Sequence, residues 1–236
     1  MFMNKSKVLV GIILLVYLAF IVSQFSNHHY LATVFDALIL PLITITYFIG
    51  DHKKQVLFIV FLLAYSISDL MVLIVDHIPY ELYYYIGNGL YILAYLTLLV
   101  KVLKSLSFLE IIKNFKLHLI VLIGLNVYIA YVLQVIVNPY VSMTNEYFVE
   151  IIYNVSMLLL LSASLLAYFY KDNKKSLFMF LGSLSIVFSE VIGVAYMYVA
   201  QQNLLNFIST TLTILAFYFF CKQTKLSNEE VNQFVG

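Results

Sequence analysis

The chain has 236 residues, of which 63% are hydrophobic and only 11% charged, with a formal net charge of +1. Apolar runs of about 20 residues recur along it, the length an α-helix needs to cross roughly 30 Å of hydrocarbon, and soluble domains carry no such series. The near-neutral balance offers nothing to nucleic acid, and the composition points to an all-α polytopic membrane protein, one integral membrane domain over residues 1–236.

Eight spans are predicted. The first, Val8 to Phe25, follows Lys5 and Lys7 as the apolar stretch of a signal peptide would. It runs about 18 residues into Ser23, Gln24, Phe25 and Ser26 without a small-x-small cleavage pattern, so it reads as a retained helix. Span two, Tyr30 to Gly50, carries Asp36 and Pro41, and Lys53 and Lys54 join it to span three, Val56 to Val75, with Ser66, Ser68 and Asp69. Span four, Leu82 to Leu103, opens on Tyr83, Tyr84 and Tyr85 and carries Gly87, Asn88, Gly89, Tyr91 and Tyr95. Lys101, Lys104, Lys113 and Lys116 surround the joint to span five, Leu117 to Val137, which holds Gln134. Span six, Phe148 to Tyr170, holds Asn154; Lys171, Lys174 and Lys175 lead to span seven, Leu177 to Ala200, with Ser185, Ser189 and Glu190. Span eight, Leu204 to Cys221, is followed by Lys222 and Lys225.

All 13 basic side chains are lysines, and alternating spans bring every one to the same end of the bundle. The opposite joints hold Asn27, His28, His29, Asp76, His77, Glu81, Glu146 and Gln201. Lysine excess marks the cytoplasmic side, so both termini are expected there, as an even number of spans requires; in a bacterium the membrane would be the cytoplasmic one. The single cysteine, Cys221, permits neither an internal disulfide nor a Cys-based metal cluster.

A weak repeat lies in the series. Ser68-Asp69 is followed by Ile92-Leu93-Ala94-Tyr95, and Ser189-Glu190 by Ile214-Leu215-Ala216-Phe217, at offsets of 121 and 122 residues. Spans three and seven run in the same direction, which suggests two parallel four-helix halves.

Ionised groups inside a bilayer are costly, so the intramembrane acids Asp36, Asp69 and Glu190 mark a candidate site. Counted at 1.5 Å per residue, all three fall roughly 10–15 Å below the boundary opposite the lysines. Ser66, Ser68, Asn88, Tyr91, Gln134, Asn154, Ser185 and Ser189 fall near this layer, and a polar pocket open toward that side, over an apolar floor, is expected. Serines and amides also join membrane helices by hydrogen bonds, and the 20 tyrosines and 19 phenylalanines serve packing and interface anchoring. His28, His29 and His77 sit on one side, but adjacent histidines project in different directions and make a poor metal pair; no metal site is assigned. No Ser-x-x-Lys, Gly-x-Ser-x-Gly or glycine-rich phosphate loop occurs, and no cofactor is expected.

Pro41 in span two, Ser66-Ile67-Ser68-Asp69 in span three, Gly87, Gly89, Tyr91 and Tyr95 in span four and Ser189-Glu190 in span seven together resemble the YhhN, or lysoplasmalogenase, family. The resemblance implies hydrolysis of the vinyl ether bond of a lysophospholipid drawn from the membrane. By it, Asp69 and Glu190 are the catalytic pair, and Asp36, Ser66, Ser68, Asn88, Tyr91, Tyr95, Asn154 and Ser189 surround the substrate. The chemistry needs a proton delivered to the alkenyl carbon and water added to the resulting cation, work that paired carboxyls in a poorly hydrated site perform. This chain has Ser68 where the family usually has glycine, Glu190 where it has aspartate, no histidine near Tyr95 and no Lys-Pro near Asp36. Two other classes stay open: a lipid-binding protein or proton-coupled transporter using the same acids, and a scaffold without a small-molecule site.

Overall fold

The computed structural model describes residues 5–50, 54–141 and 144–226; His52 and Lys53 lie outside them. Among the described residues, the regular structure is helical throughout: α1 (Lys5–Phe25), α2 (His29–Ile49), α3 (Val56–Met71), α4 (Tyr80–Leu103), α5 (Phe108–Asn114), α6 (Lys116–Val137), α7 (Thr144–Lys171), α8 (Lys174–Tyr198) and α9 (Asn203–Lys225). Eight of these are long and apolar enough to cross a membrane. Helix is what such segments must form, because only internal hydrogen bonding satisfies backbone N–H and C=O groups in hydrocarbon.

The predicted spans coincide with these helices to within a few residues at each end. Two features fall outside the span count. Beyond Met71 the chain tightens into a 3₁₀ turn over Val72–His77, so the α-helical part of span three ends two residues after Asp69. The lysine-flanked joint between spans four and five contains α5, a short amphipathic helix that buries Ile111 while Glu110 and Lys113 stay exposed. It is too short to register as a span. Helix ends are set locally: Asn173 caps α8 by accepting from the Ser176 N–H at 2.9 Å. The tight joints after α1 and α7 turn on Asn27 and Asp172, which take the left-handed backbone at φ 58° and 42°.

Consecutive helices α2, α3 and α4 are neighbours, as are α7, α8 and α9, and α4 packs along α7 while α9 touches α2. Six helices therefore form a ring, with α1 outside against α2 and α9, and α6 outside against α7 and α8. The order of the six ring helices is the one two parallel repeats would give, whereas the outer pair departs from it, since α6 packs on α7 and α8 where a two-fold would set it against α7 and α4. The pair α8–α9 approaches closely because small residues line the contact. An added Cβ at Gly182 would lie 2.5 Å from the Phe220 ring. In lipid such packing, not water exclusion, holds helices together. Toward the lysine-rich end the core is aromatic: Phe58, Phe61, Phe217 and Phe220 are fully buried, with the Phe61 centroid 5.1 Å from that of Phe217 and 5.3 Å from that of Phe220.

Candidate functional site

Toward the lysine-free end the ring opens into a cavity of about 370 Å³. Each wall is one helical stripe at a spacing of three or four residues. Thr33, Asp36, Ala37 and Leu40 come from α2, Tyr65, Ser68 and Asp69 from α3, and Tyr84, Gly87, Asn88 and Tyr91 from α4. Ser189, Glu190, Gly193 and Tyr196 come from α8, and Asn206, Ser209, Thr210 and Thr213 from α9. Pro41 sits one turn beyond Ala37 inside α2, and its missing N–H leaves the Ala37 carbonyl without its helical donor.

All three intramembrane acids line this one cavity, and the lining residues include no lysine, arginine or histidine. Two of the acids are gripped by phenols. The Tyr91 hydroxyl donates to Asp69 Oδ1 at 2.6 Å. Tyr95 and Tyr65 both donate to Glu190 Oε1, at 2.5 and 2.8 Å, which leaves Oε2 unengaged by them. Edge-to-face contacts lock the rings: centroids lie 4.7 Å apart for Tyr65–Tyr91, 6.0 Å for Tyr65–Tyr95 and 5.6 Å for Tyr95–Tyr153. Asp36 lies beside the Thr210 hydroxyl.

The repeat reappears as geometry. Ser68 Oγ donates to the Gly87 carbonyl of α4 at 2.9 Å, and Ser189 Oγ donates to the Ser209 carbonyl of α9 at 2.7 Å. These two bonds join corresponding helices at residues 121 and 122 positions apart, the same offsets as the sequence repeat. Ser189 also contacts Thr213 Oγ1 at 2.6 Å, and Ser209 Oγ donates back to the Ser189 carbonyl.

Of the ten residues assigned from the resemblance to the catalytic pair and the substrate surround, Asp36, Ser68, Asp69, Asn88, Tyr91, Ser189 and Glu190 line the cavity. Three do not. Tyr95 is fully buried one hydrogen bond behind Glu190. Ser66 turns to α2 and bonds Thr44 at 2.7 Å. Asn154 is buried on α7 away from the lining, and its Nδ2 has no hydrogen-bond partner among the described residues. Gln134 belongs to a separate groove between α6 and α7. Among the described residues, no three His, Cys, Asp or Glu side chains converge as metal ligands would.

Sequence reasoning missed Tyr65 and the polar stripe of α9. The signal for the stripe was present: Asn206, Ser209, Thr210 and Thr213 follow the i, i+3, i+4, i+7 spacing of one helix face. Tyr65 lies one turn before Asp69 on the same face of α3.

No family model, no curated protein and no solved structure matches this chain. What the cavity can do is therefore a question of its own chemistry.

Proposed function

We propose that the chain is a membrane-embedded hydrolase of the lysoplasmalogenase type, a divergent relative of the YhhN family it resembles, with Asp69 and Glu190 as its acid–base pair. The observation that carries this reading is that two carboxyls from corresponding turns of α3 and α8 line one cavity, each oriented by a phenol hydroxyl. Asp69 is the proton donor. Transfer of its proton to the β-carbon of the vinyl ether converts C=C–O into an oxocarbenium, with the positive charge shared between the α-carbon and the ether oxygen. Glu190, whose negative charge two phenols support at Oε1, faces that cation and takes a proton from the attacking water through Oε2. The hemiacetal so formed collapses to an aldehyde and the glycerol hydroxyl, and the proton taken from water restores Asp69, so one water is consumed.

The surroundings suit such a substrate. Three carboxyls without a basic residue favour a ligand carrying positive charge, as a choline or ethanolamine headgroup does. With lysines on the cytoplasmic side the cavity opens toward the outer leaflet, from which a single-chain lipid slides in without leaving the membrane.

The test is aldehyde release from choline lysoplasmalogen by the purified protein in lipid nanodiscs. Asp69→Asn and Glu190→Gln are each expected to lower turnover about 100-fold or more. Release that ignores both substitutions would remove the mechanism.

The matched bonds Ser68–Gly87 and Ser189–Ser209 favour a second reading, a transporter built from two parallel halves that moves protons through the same carboxyls. It predicts proton flux into liposomes, lost in the same two variants, with no lipid turnover.

A further inference from the structure

A chain of four side-chain amides runs from the surface at the lysine-free end to the acidic cavity. Asn203 Nδ2 donates to Asn27 Oδ1 at 3.1 Å, Gln24 Nε2 donates to Asn203 Oδ1 at 3.0 Å, and Asn206 Nδ2 donates to Gln24 Oε1 at 2.8 Å. Gln24 is only 1% exposed and has both ends of its amide engaged, so the chain has one direction. It finishes on Asn206, which lines the cavity. With the nitrogen drawn to Gln24, the Asn206 oxygen is the end left over.

On α9, Thr210 follows Asn206 by one turn, and its hydroxyl lies beside Asp36 of α2. Thr33, one turn before Asp36 in the same lining stripe, donates its O–H to the His29 carbonyl at 3.0 Å. Asp69 and Glu190 are held by phenols, whereas the hydroxyl beside Asp36 is that of a threonine. The tyrosines of the lining come from α3, α4 and α8, so the wall made by α2 and α9 presents a carboxyl, an amide and hydroxyls but no aromatic ring. A quaternary ammonium carries no N–H and is recognised by ring faces; a primary ammonium has three donors and is recognised by oxygens. The wall of α2 and α9 is of the second kind.

We infer that this wall is a subsite for a primary ammonium group, which pairs with the Asp36 carboxylate and donates to Asn206 Oδ1. Four residues of helix rise set Asn206 about 6 Å from the level of Thr210 and Asp36, and one nitrogen bonded at roughly 2.9 Å on each side bridges that distance. Under the hydrolase reading proposed above, on which the lipid context rests, the headgroup preferred is ethanolamine over choline: Asp36 holds the headgroup while Asp69 and Glu190 act on the ether. Choline binds without these hydrogen bonds and more weakly. Gln24 touches no ligand; it is a positioning residue that sets which end of the Asn206 amide faces the cavity.

The probes are saturated alkyl-ether lysophospholipids, which have no vinyl ether to cleave, with an ethanolamine or a choline headgroup. Binding of each to the purified protein in detergent is measured by native mass spectrometry, and the ratio of the two affinities is the readout, because damage to the fold lowers both together. The ethanolamine lipid is expected to bind about tenfold tighter. Asp36→Asn should bring the two lipids to parity, Asn206→Leu should lower the preference about fivefold and Gln24→Leu about threefold. Free ethanolamine identifies the carrier: if it displaces the bound lipid at a similar concentration the ligand is a soluble amine, and if the lipid stays bound the ligand is the headgroup. Equal binding of the two lipids by the wild type, or a preference that survives Asp36→Asn or Asn206→Leu, would overturn the inference. Headgroup preference with no aldehyde release from a vinyl ether lipid would sink the hydrolase reading alone, and aldehyde release without headgroup preference would sink the subsite alone.

Discussion

At the scale of single residues, the candidate site is a matter of which atoms hold the carboxyls. Tyr65 and Tyr95 share Glu190 Oε1, so each partly covers for the loss of the other. Tyr95→Phe removes the shorter bond and is expected to lower turnover about tenfold, Tyr65→Phe less, and the double variant by more than the product of the two, measured as kcat on lysoplasmalogen. A carboxylate stretch of Glu190 that shifts in the infrared in both single variants would show that the phenols act on the acid itself. Away from the site, Gly182 illustrates a steric demand. The Phe220 ring that an alanine methyl would strike is itself wedged against Phe61 and Phe217. Gly182→Ala should therefore cost about 1–3 kcal/mol in thermal unfolding in detergent, while Gly124→Ala, with nothing within 4 Å, should be nearly neutral.

At the scale of helices, the sequence repeat becomes a physical claim through two serine-to-backbone bonds. Ser68 bonds the Gly87 carbonyl of α4 and lies beside the Tyr91 hydroxyl, whereas Ser189 sits in a knot with Ser209 and Thr213. Hydrogen bonds between membrane helices average about 0.6 kcal/mol, so Ser68→Ala should cost about that much and Ser189→Ala about twice as much. Denaturation in mixed micelles measures both, and equal costs would argue against the knot. The same scale explains what a span count passes over. α5 escapes a hydropathy search because seven residues cannot cross a bilayer, and the start of the 3₁₀ turn after Met71 is invisible to it because Val72–Val75 are as apolar as the helix they follow.

At the scale of the whole molecule, thirteen lysines at one end of an eight-helix bundle predict an orientation that can be read directly. In a Cys221→Ser background, single cysteines at Asn27, Glu81 or Gln201 should react with a membrane-impermeant maleimide on intact cells. Cysteines at Lys104, Lys174 or Lys225 should react only after permeabilisation. The reverse pattern would put the acidic cavity on the cytoplasmic side and close it to outer-leaflet lipid.

Hydropathy and helix rise are local properties, so the amino-acid order alone determined the eight spans and led to the expectation of lysines gathered at one end and of a common depth for Asp36, Asp69 and Glu190, which line one cavity. What a linear order leaves open is which neighbour each helix turns its faces toward, because apart from polar stripes such as that of α9 the faces of a membrane helix are apolar enough to meet lipid. Packing decided that facing. It turned the α9 stripe and Tyr65 inward and brought two phenols onto one oxygen of Glu190. It also sent Ser66 to Thr44 and left Asn154 behind the wall instead of in it. Depth belongs to the chain; facing belongs to the assembled bundle, where neighbouring side chains compete for the same space.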